Sequence, residues 1–381
     1  MKTKYADFTS VGPGSLAGRL LRSFWQPLFL SRNLLEGKPV ALRVLGEDFT
    51  LFRGVSGATH LIGPRCAHRG VLLSTARVEG DAIRCFYHGW KYDGSGQCIE
   101  QPAEKQPFCA RAKVSGYPTR EYLGMVFAYL GDGTATEFPI LDIYDRGGYV
   151  STTESRRPWP FFHQLENSVD EVHFNFAHRR SKFTDVGLND EIPELSCNET
   201  GYGIERLGAR RNAVRRSHIL MPNCMFSMVY DHDRGWCEHI AWRVPLDDRS
   251  HASFIADLVH KAGQDLEDYL AGKARQRDEL KKLEPAMDVV ERVIRGELHA
   301  DDIPERPDLV LIQDAVAMMG QGPRDREHDL LGTSDRQVNM LRRIWTRELR
   351  ALERGKPITP WRIPRNLVPT RGTAEEALLQ A

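Results

Sequence analysis

Short apolar runs separated by glycine-containing turns occupy the stretch from residue 40 to residue 130. The runs are ALRVLGEDFTLFR, ATHLIGP, DAIRCFYHGWKYDGSGQCI and GMVFAYLG. Apolar segments of this length with turn residues between them predict a small antiparallel β domain. The polar, glycine-containing stretch 131–137 predicts its end, so we place this domain at 40–135. The segment 1–39 has apolar residues at helical spacing and is expected to pack on either domain.

Strand-like and helix-like patterns are mixed in the remainder of the chain, 136–381. RRSHILM, CMFSMVY and HIAWRVPL have the apolar, β-branched and aromatic content of strands and predict a second antiparallel sheet. Helical patterns follow them towards the carboxyl end of the chain. This order of elements predicts an α+β fold with two domains.

Three helices are predicted in this second domain. Two of them cover 264–283 and 286–295. The last long helix is predicted to begin at Ser334, with Gln337 completing a capping box, and to end before Gly355.

Length and charge narrow the class of protein. A chain of 381 residues exceeds what one hydrophobic core usually supports, which also indicates two domains. The 52 basic and 52 acidic residues balance, so no nucleic-acid or membrane partner is indicated. No apolar run is long enough to span a bilayer, and MKTKYADFTS lacks the apolar stretch of an export signal. We therefore expect a cytoplasmic protein.

Two pairs of metal-ligand residues, each with one cysteine and one histidine, are the most informative feature of the chain. Cys66 and His68 are separated from Cys85 and His88 by a connection of sixteen residues. If each loop supplies one thiolate and one imidazole, the two cysteines can hold one iron and the two histidines the other, with sulfides between them. That is the ligation of a Rieske [2Fe-2S] cluster.

The residues beside these pairs fit such a centre. Gly70 and Gly89 are predicted to let the two loops approach the cluster closely, and Arg69 and Trp90 to cover it. Structural zinc is the alternative, but zinc fingers usually take both cysteines from one short spacing and both histidines from another. The remaining cysteines are scattered, and we predict reduced thiols for Cys98, Cys109, Cys197, Cys224 and Cys237.

A second candidate metal site lies in ENSVDEVHFNFAH. Asn167, Asp170 and His173 recur every three residues, which would place them along one ridge of a helix. His178 follows five residues later, and a regular α-helix would turn it off that face, so a shared metal requires a π-bulge or a break. Two imidazoles and a carboxylate form the facial triad of non-haem Fe(II) oxygenases. The alternative is two ordinary helix histidines, the commoner case for an isolated pair.

The stretches CAHRG (66–70), CFYHGW (85–90) and ENSVDEVHFNFAH resemble the terminal oxygenase α subunits of Rieske ring-hydroxylating oxygenases, in the phthalate-dioxygenase-like branch. Val71 and Tyr87 stand where respiratory Rieske proteins have a disulfide, which favours the oxygenase type. The resemblance implies an N-terminal Rieske domain and a C-terminal catalytic domain, with a helix-grip-like antiparallel sheet flanked by helices. It also implies a mononuclear Fe(II) beside the cluster.

The resemblance assigns the carboxylate ligand of that iron, next to His173 and His178, to Asp314 in LIQDAVAMMGQG. Met319 stands where family members often have Glu, which is a departure from the pattern. Glu305 and Asp308 lie nearby and are the alternatives. Several other polar residues are predicted to be structural rather than functional: His163, Arg216, His218, His232 and His239.

Asp170 and Asn167 are the candidate catalytic residues. Asp170 precedes His173 by one turn and is predicted to accept a hydrogen bond from the free N–H of that imidazole. In similar oxygenases this aspartate also bonds a cluster histidine, best matched here by His88, of the neighbouring subunit in a head-to-tail homotrimer.

The implied reaction uses O₂ as co-substrate and a small aromatic compound as substrate. Electrons would reach the chain from NAD(P)H only indirectly, through a separate reductase with or without a ferredoxin, since no flavin or nicotinamide fingerprint is present. Dioxygenation, monooxygenation and O- or N-demethylation stay open. A Rieske electron carrier with no chemistry of its own is the alternative from another class.

Overall fold

The computed structural model describes residues 4–181, 186–211, 213–322, 326 and 329–372. The helices are α1 Ala6–Thr9, α2 Leu16–Arg22, α3 Phe161–Val169, α4 His173–Phe176, α5 Gly263–Leu280, α6 Ala286–Ile294, α7 Leu309–Gly320 and α8 Arg336–Glu353. Parts of the GQGPRDREHDLLGTSD stretch, which also resembles the oxygenases, lie outside the described residues.

Three small antiparallel sheets form the amino-terminal half. Their strands are β1 Trp25–Leu30, β2 Val40–Val44, β3 Glu47–Arg53, β4 Thr59–Ile62, β5 Arg77–Glu79, β6 Ala82–Arg84, β7 Lys91–Tyr92, β8 Cys98–Glu100, β9 Gly116–Tyr117, β10 Thr119–Tyr122 and β11 Met125–Tyr129. The strand orders are β1-β11-β10, β2-β3-β4-β9 and β5-β6-β7-β8. The predicted β domain is therefore present. β1, which lies in the predicted segment 1–39, pairs with β11 of that domain, while the domain limits themselves stay predictions.

One large antiparallel sheet forms the second half. Its strands are β12 Tyr149–Arg157, β13 Glu194–Thr200, β14 Gly203–Arg210, β15 Ala213–Leu220, β16 Cys224–Asp231, β17 Gly235–Asp247, β18 Ser250–Val259 and β19 Thr370–Gly372. The order is β12-β18-β17-β16-β15-β14-β13, with β19 paired to β15. The three predicted strand segments fall in β15, β16 and β17, and the helices predicted at 264–283 and 286–295 are α5 and α6.

The start of α8 differs from the prediction. The helix begins at Arg336, because a short 3-10 turn covers Thr333–Asp335. Gln337 makes no capping box with Ser334: its side-chain amide donates to the backbone carbonyls of Ser196 and Leu207. The buried side-chain amide of Gln337 therefore hydrogen-bonds to strands β13 and β14 rather than capping α8.

A continuous hydrophobic core joins the two halves. Phe8 of α1 stacks on Phe162 of α3, with ring centroids 4.7 Å apart, and Phe162 lies 5.1 Å from Trp345 of α8. The loop after β2 is tied to β17, since the backbone N–H of Leu45 donates to the carbonyl of Pro245 over 2.9 Å. None of the described helices is long and apolar enough to cross a membrane.

Candidate redox and metal centres

The loops that carry the two Cys/His pairs have the same backbone hydrogen bonds. In the loop between β4 and β5, the N–H of Cys66 donates to the carbonyl of Val71 over 2.8 Å, and that of Gly70 donates to Cys66 over 2.9 Å. In the loop between β6 and β7, the N–H of Gly89 donates to the carbonyl of Cys85 over 3.1 Å. Each cysteine is thus held at the start of a tight turn.

The two glycines serve these turns by their backbone conformation. Gly70 has φ +73° and Gly89 has φ +74°, in the left-handed region that side chains disfavour. A Cβ on Gly70 would meet open space, whereas one on Gly89 would lie 2.8 Å from Cγ of Pro102. The left-handed turn by itself thus requires glycine at position 70, and the close approach of the two loops to a cluster stays a prediction.

The four side chains converge on one pocket. The thiols of Cys66 and Cys85 are buried, and the partly exposed rings of His68 and His88 lie 4.6 Å apart at 70°. Trp90 stacks on the ring of His68, with centroids 4.7 Å apart and planes 8° apart. These residues line a pocket with about 170 Å³ of empty space, part of it open to solvent.

The pocket suits a sulfur-bridged diiron cluster. Its donor set is two thiols at depth and two imidazoles towards the solvent, as unlike irons require. The buried Nε1–H of Trp90 has no hydrogen-bond partner among the described residues, so a donor is left over at the pocket wall. Arg69 and Trp90 both line the pocket, as predicted. Arg69 does so as an exposed residue, with its guanidinium carbon 5.6 Å from the centroid of the Tyr87 ring.

The hydroxyl of Tyr92 adds a hydrogen bond to this pocket. It accepts from the backbone N–H of Ala67 over 3.0 Å and lies 3.1 Å from Sγ of Cys66. Its proton is therefore available for the sulfur. Burial, followed by the neighbouring thiol of Cys66, raises the pKa of Tyr92, so the hydroxyl stays a donor.

Tyr92→Phe is expected to lower the reduction potential of the cluster by about 60 mV, equivalent to about 1.4 kcal/mol for one electron. A donated hydrogen bond stabilises the more negative, reduced cluster, and phenylalanine removes it. Redox titration followed by visible spectroscopy measures the shift. Tyr117→Phe, on β9 of the same domain, is the control and should leave the potential unchanged; an unchanged potential in Tyr92→Phe would contradict the prediction.

His173, His178 and Asp314 form the second cluster. One potential ligand atom from each of these residues lies within 4.8 Å of the other two. Nε2 of His178 lies 3.2 Å and Nε2 of His173 lies 3.8 Å from Oδ1 of Asp314. The imidazole rings are 5.0 Å apart at 73°. The arrangement offers two nitrogen ligands and one oxygen ligand, the set that a mononuclear iron takes in a facial triad.

The helix that carries the two histidines is broken, as the five-residue spacing required. α4 ends at Phe176, two residues before His178, and a turn follows. A second break was not predicted: α3 ends at Val169 and Asp170 has extended ψ of 114°. The expectation of one helical ridge through Asn167, Asp170 and His173 is therefore wrong.

Asp170 contacts His173 through its backbone rather than its carboxylate. The carbonyl oxygen of Asp170 lies 2.7 Å from Nδ1 of His173. The carboxylate Oδ1 instead accepts from the backbone N–H groups of Val172 and His173, over 2.9 and 3.3 Å. The predicted hydrogen bond to the imidazole exists, but the carboxylate is used to hold the turn before α4.

A chain of side-chain amides supports Asp314. Asn167 donates to Oδ1 of Asp314 over 3.2 Å, Gln164 donates to Asn167 over 3.1 Å, and the indole N–H of Trp159 donates to Gln164 over 3.1 Å. Asn167 thus orients the carboxylate.

Gln313 supports the second histidine: its Oε1 lies 2.8 Å from Nδ1 of His178. Gln313 was not predicted as a site residue. Its position directly before Asp314 was the only feature of the sequence that pointed to it. Burial lowers the pKa of His173, which favours the neutral imidazole that metal binding needs.

The rival acids lie elsewhere. Asp308 pairs with Arg306 at the start of α7, over 2.5 Å, and Glu305 is exposed. Glu166, another acid close to the histidines in sequence, is buried between Arg326 and Arg342, whose guanidinium nitrogens lie 2.7 and 2.5 Å from its carboxylate oxygens.

Two of the histidines predicted to be structural have partners within the protein. His218 lies 3.1 Å from the carbonyl of Val368, and His239 pairs with Asp257.

Glu171 is buried among three arginines. Arg215 and Arg210 bond its carboxylate, the latter over 3.3 Å, and Arg206 lies 3.9 Å away. Burial alone would raise the pKa of Glu171, but the positive charges of Arg215, Arg206 and Arg210 outweigh it and hold the pKa at about 2. This network fastens the turn that precedes His173 to strands β14 and β15.

Glu171→Ala is expected to lower the free energy of unfolding by about 3–5 kcal/mol, because it leaves buried guanidinium groups without their counter-charge. Since the folded pKa is below the unfolded value of about 4.3, the contribution is complete above that pH and is lost as the pH falls towards 2. Urea unfolding at pH 7 and pH 3 measures both effects. The exposed Glu137→Ala is the control, expected within about 0.5 kcal/mol of the parent.

A pocket with two cysteines and two histidines in a small β domain, and two histidines with an aspartate beside a large antiparallel sheet, define the class of two-centre Rieske oxygenases. Residues 24–121 match the family described as Rieske [2Fe-2S] domain. The chain is 30% identical over 285 residues to the phenoxybenzoate dioxygenase subunit alpha of Ectopseudomonas oleovorans, and this alignment covers 68% of each of the two chains. The chain belongs to the family of Rieske oxygenase subunits.

Two further similarities extend over most of the chain. The 5,5'-dehydrodivanillate O-demethylase oxygenase subunit of a Sphingobium species is 28% identical over 364 residues, covering 91% of this chain and 80% of that one. The terminal oxygenase of carbazole 1,9a-dioxygenase from a Novosphingobium species has the same fold, with a TM-score of 0.66 and 20% identity over 90% of this chain and 95% of that one. The protein is an oxidoreductase that uses a Rieske cluster, a mononuclear iron and O₂, and it takes electrons from a separate electron-transfer partner.

Proposed function

We propose that this chain is the terminal oxygenase component of a Rieske system that hydroxylates a small aromatic substrate, with Cys66, His68, Cys85 and His88 as the cluster ligands and His173, His178 and Asp314 as the iron ligands. The observation that carries the proposal is the meeting of Asp314 on α7 with His173, which begins α4, and His178, which lies in the turn after α4, with ligand atoms within 4.8 Å. When bound at their two sites, the cluster and the ferrous ion would each supply one electron for the reduction of O₂.

The chain's own residues prepare the iron site. The backbone carbonyl of Asp170 can only accept, so the Nδ1 of His173 carries the proton and its Nε2 keeps a lone pair for the metal. Gln313 has the same effect on His178 through Oε1. Asn167 donates to Asp314 and keeps one carboxylate oxygen directed at the histidines.

Electron entry is proposed to cross a subunit boundary. In this arrangement His88 of one copy meets Asp170 of its neighbour in a head-to-tail homotrimer, and Asp170 leads to His173. Two observations support it: His88 is partly exposed, and the adjacent Phe86 and Tyr87 expose 56% and 51% of their surface, as residues at an interface between copies would in an isolated chain. The electron donor is proposed to be an NAD(P)H-dependent reductase, with or without a ferredoxin.

The cytoplasm is the proposed location. All seven cysteines are without disulfides, which agrees with a reducing compartment.

Iron content and product labelling test the proposal together. The purified protein should be red-brown and hold about three irons per chain, two in the cluster and one at the mononuclear site. With a reductase, NADH and a panel of aromatic acids and ethers under ¹⁸O₂, mass spectrometry should show labelled product. About two irons per chain would instead favour an electron carrier, and a colourless protein would favour zinc.

O-demethylation is the second candidate reaction, favoured by the similarity over 91% of the chain to an O-demethylase oxygenase subunit. It would convert a methoxyarene into a phenol and formaldehyde. Formaldehyde released in step with the phenol identifies this reaction, whereas a cis-dihydrodiol identifies ring dioxygenation.

A further inference from the structure

Two arginines share one face of the large sheet. Arg157 ends β12 and pairs with His251 of β18, and Arg243 of β17 pairs with Ser253 of the same strand. Because His251 and Ser253 are two residues apart, their partners' side chains lie on the same side of the sheet. Arg157 and Arg243 therefore project together.

This face of the sheet lies against the helix that supports the iron site. Nη2 of Arg243 lies 3.4 Å from Oγ of Ser168 on α3, the residue after Asn167. The guanidinium carbon of Arg157 lies 5.8 Å from the centroid of the Trp159 ring. Trp159 begins the hydrogen-bonded chain that ends on Asp314. Each arginine therefore contacts a residue that belongs to, or directly follows, the support of the proposed iron site.

Neither guanidinium forms an ion pair with any residue that the structure describes. Arg243 is 7% exposed, its Nε–H has no hydrogen-bond partner in the described part of the chain, and Ser168 is its neutral contact. Burial, then the charge of Arg157, lowers the pKa of Arg243 to about 10, so it is still a cation at pH 7. A buried charge without a counter-charge is costly, and a site that places the partly exposed Arg157 beside the buried Arg243 is suited to an anion.

Other buried arginines of the second half are paired. Arg206, Arg210 and Arg215 surround Glu171, and Arg326 bonds Glu166. Asp314 contributes a favourable charge to both Arg157 and Arg243, but as an iron ligand it would have that charge offset by the metal. Among the described residues, the two guanidinium groups therefore have no carboxylate whose negative charge is available to them alone.

We propose that Arg157 and Arg243 form a subsite for the carboxylate of an aromatic acid, which would hold the ring beside the iron. The inference rests on the proposed function for the position of the iron, and it narrows the substrate class from aromatic compounds to aromatic acids. Guanidinium groups suit this role because they bind carboxylates with paired, directional hydrogen bonds.

Binding of matched probes to the iron-loaded protein tests the subsite without turnover. Under anaerobic conditions, calorimetric titration compares benzoate with benzamide and 4-methoxybenzoate with 4-methoxybenzamide. At least one acid is expected to bind about tenfold or more tightly than its amide, and Arg243→Gln and Arg157→Gln should each remove that preference. Equal binding of acid and amide, or no binding of either acid, would overturn the subsite.

Arg156→Gln is the matched control, since Arg156 precedes Arg157 on β12 and its side chain is 71% exposed. It should keep the acid preference. Arg243→Lys keeps the charge and should retain a reduced preference for the acid, which separates loss of charge from loss of folding if Arg243→Gln is unstable. If neutral ethers give labelled product but no acid binds, the subsite is contradicted and the proposed function stands. If an acid binds but no aromatic compound is oxygenated, the proposed function is contradicted and the subsite stands.

Discussion

Replacing His178 by alanine is expected to remove the mononuclear iron, leave the Rieske cluster in place and abolish oxygenation. His178 is almost fully buried at 1% exposure, and its Nε2 lies 3.2 Å from Asp314. The site offers three protein ligands, so the loss of one should weaken iron binding by more than the 10–100-fold that residues behind the ligands typically cost. Iron should fall from about three to about two per chain, while the visible spectrum of the cluster stays unchanged.

Two companion variants sharpen this experiment. Gln313→Ala removes the acceptor behind His178 and should weaken iron binding by about 10–100-fold without destroying the site. His260→Ala, on an exposed histidine that pairs with Glu238, should change neither iron content nor turnover. Full activity in His178→Ala, or loss of the cluster colour together with the iron, would refute the assignment of this residue.

Asp170→Asn is expected to keep both metal centres but to slow turnover by about 100-fold, the upper end of the range for residues that support metal ligands. The asparagine Oδ1 can still accept from the N–H groups of Val172 and His173, and the backbone carbonyl still holds the His173 ring. The change therefore removes a negative charge at the proposed subunit crossing with little change of local geometry.

Single-turnover spectroscopy measures this effect directly. In the parent, the reduced cluster should be reoxidised when O₂ and substrate are added; in Asp170→Asn it should stay reduced. Asp170→Ala is the comparison, because it also removes the acceptor that holds the turn before α4, and it should lose iron. If Asp170→Asn loses iron while the remaining loaded fraction turns over normally, the aspartate only positions His173.

Much of the cluster pocket could be predicted from the sequence because its proposed ligands lie in two short loops. A tight turn brings Cys66 near His68, and another brings Cys85 near His88, so local spacing predicts their convergence. The iron site was harder. The five-residue step from His173 to His178 correctly required a helix break, but the break at Asp170 was not visible, since Asn167, Asp170 and His173 fit a regular helix equally well.

Sequence alone determined the elements with strong local signals: the strand-rich first half, the paired Cys/His loops, helices α5 and α6, and the need for a distortion near His178. Tertiary structure alone decided which distant groups meet. It brought Asp314 and Gln313 of α7 to the histidines and placed the Gln337 amide on strand carbonyls in place of a helix cap. It also left the buried Arg243 and the partly exposed Arg157 without an ion pair to any described residue. The physical reason is that backbone turns and periodicity act over a few residues, whereas contacts between α7, α3 and the large sheet depend on how the whole core packs.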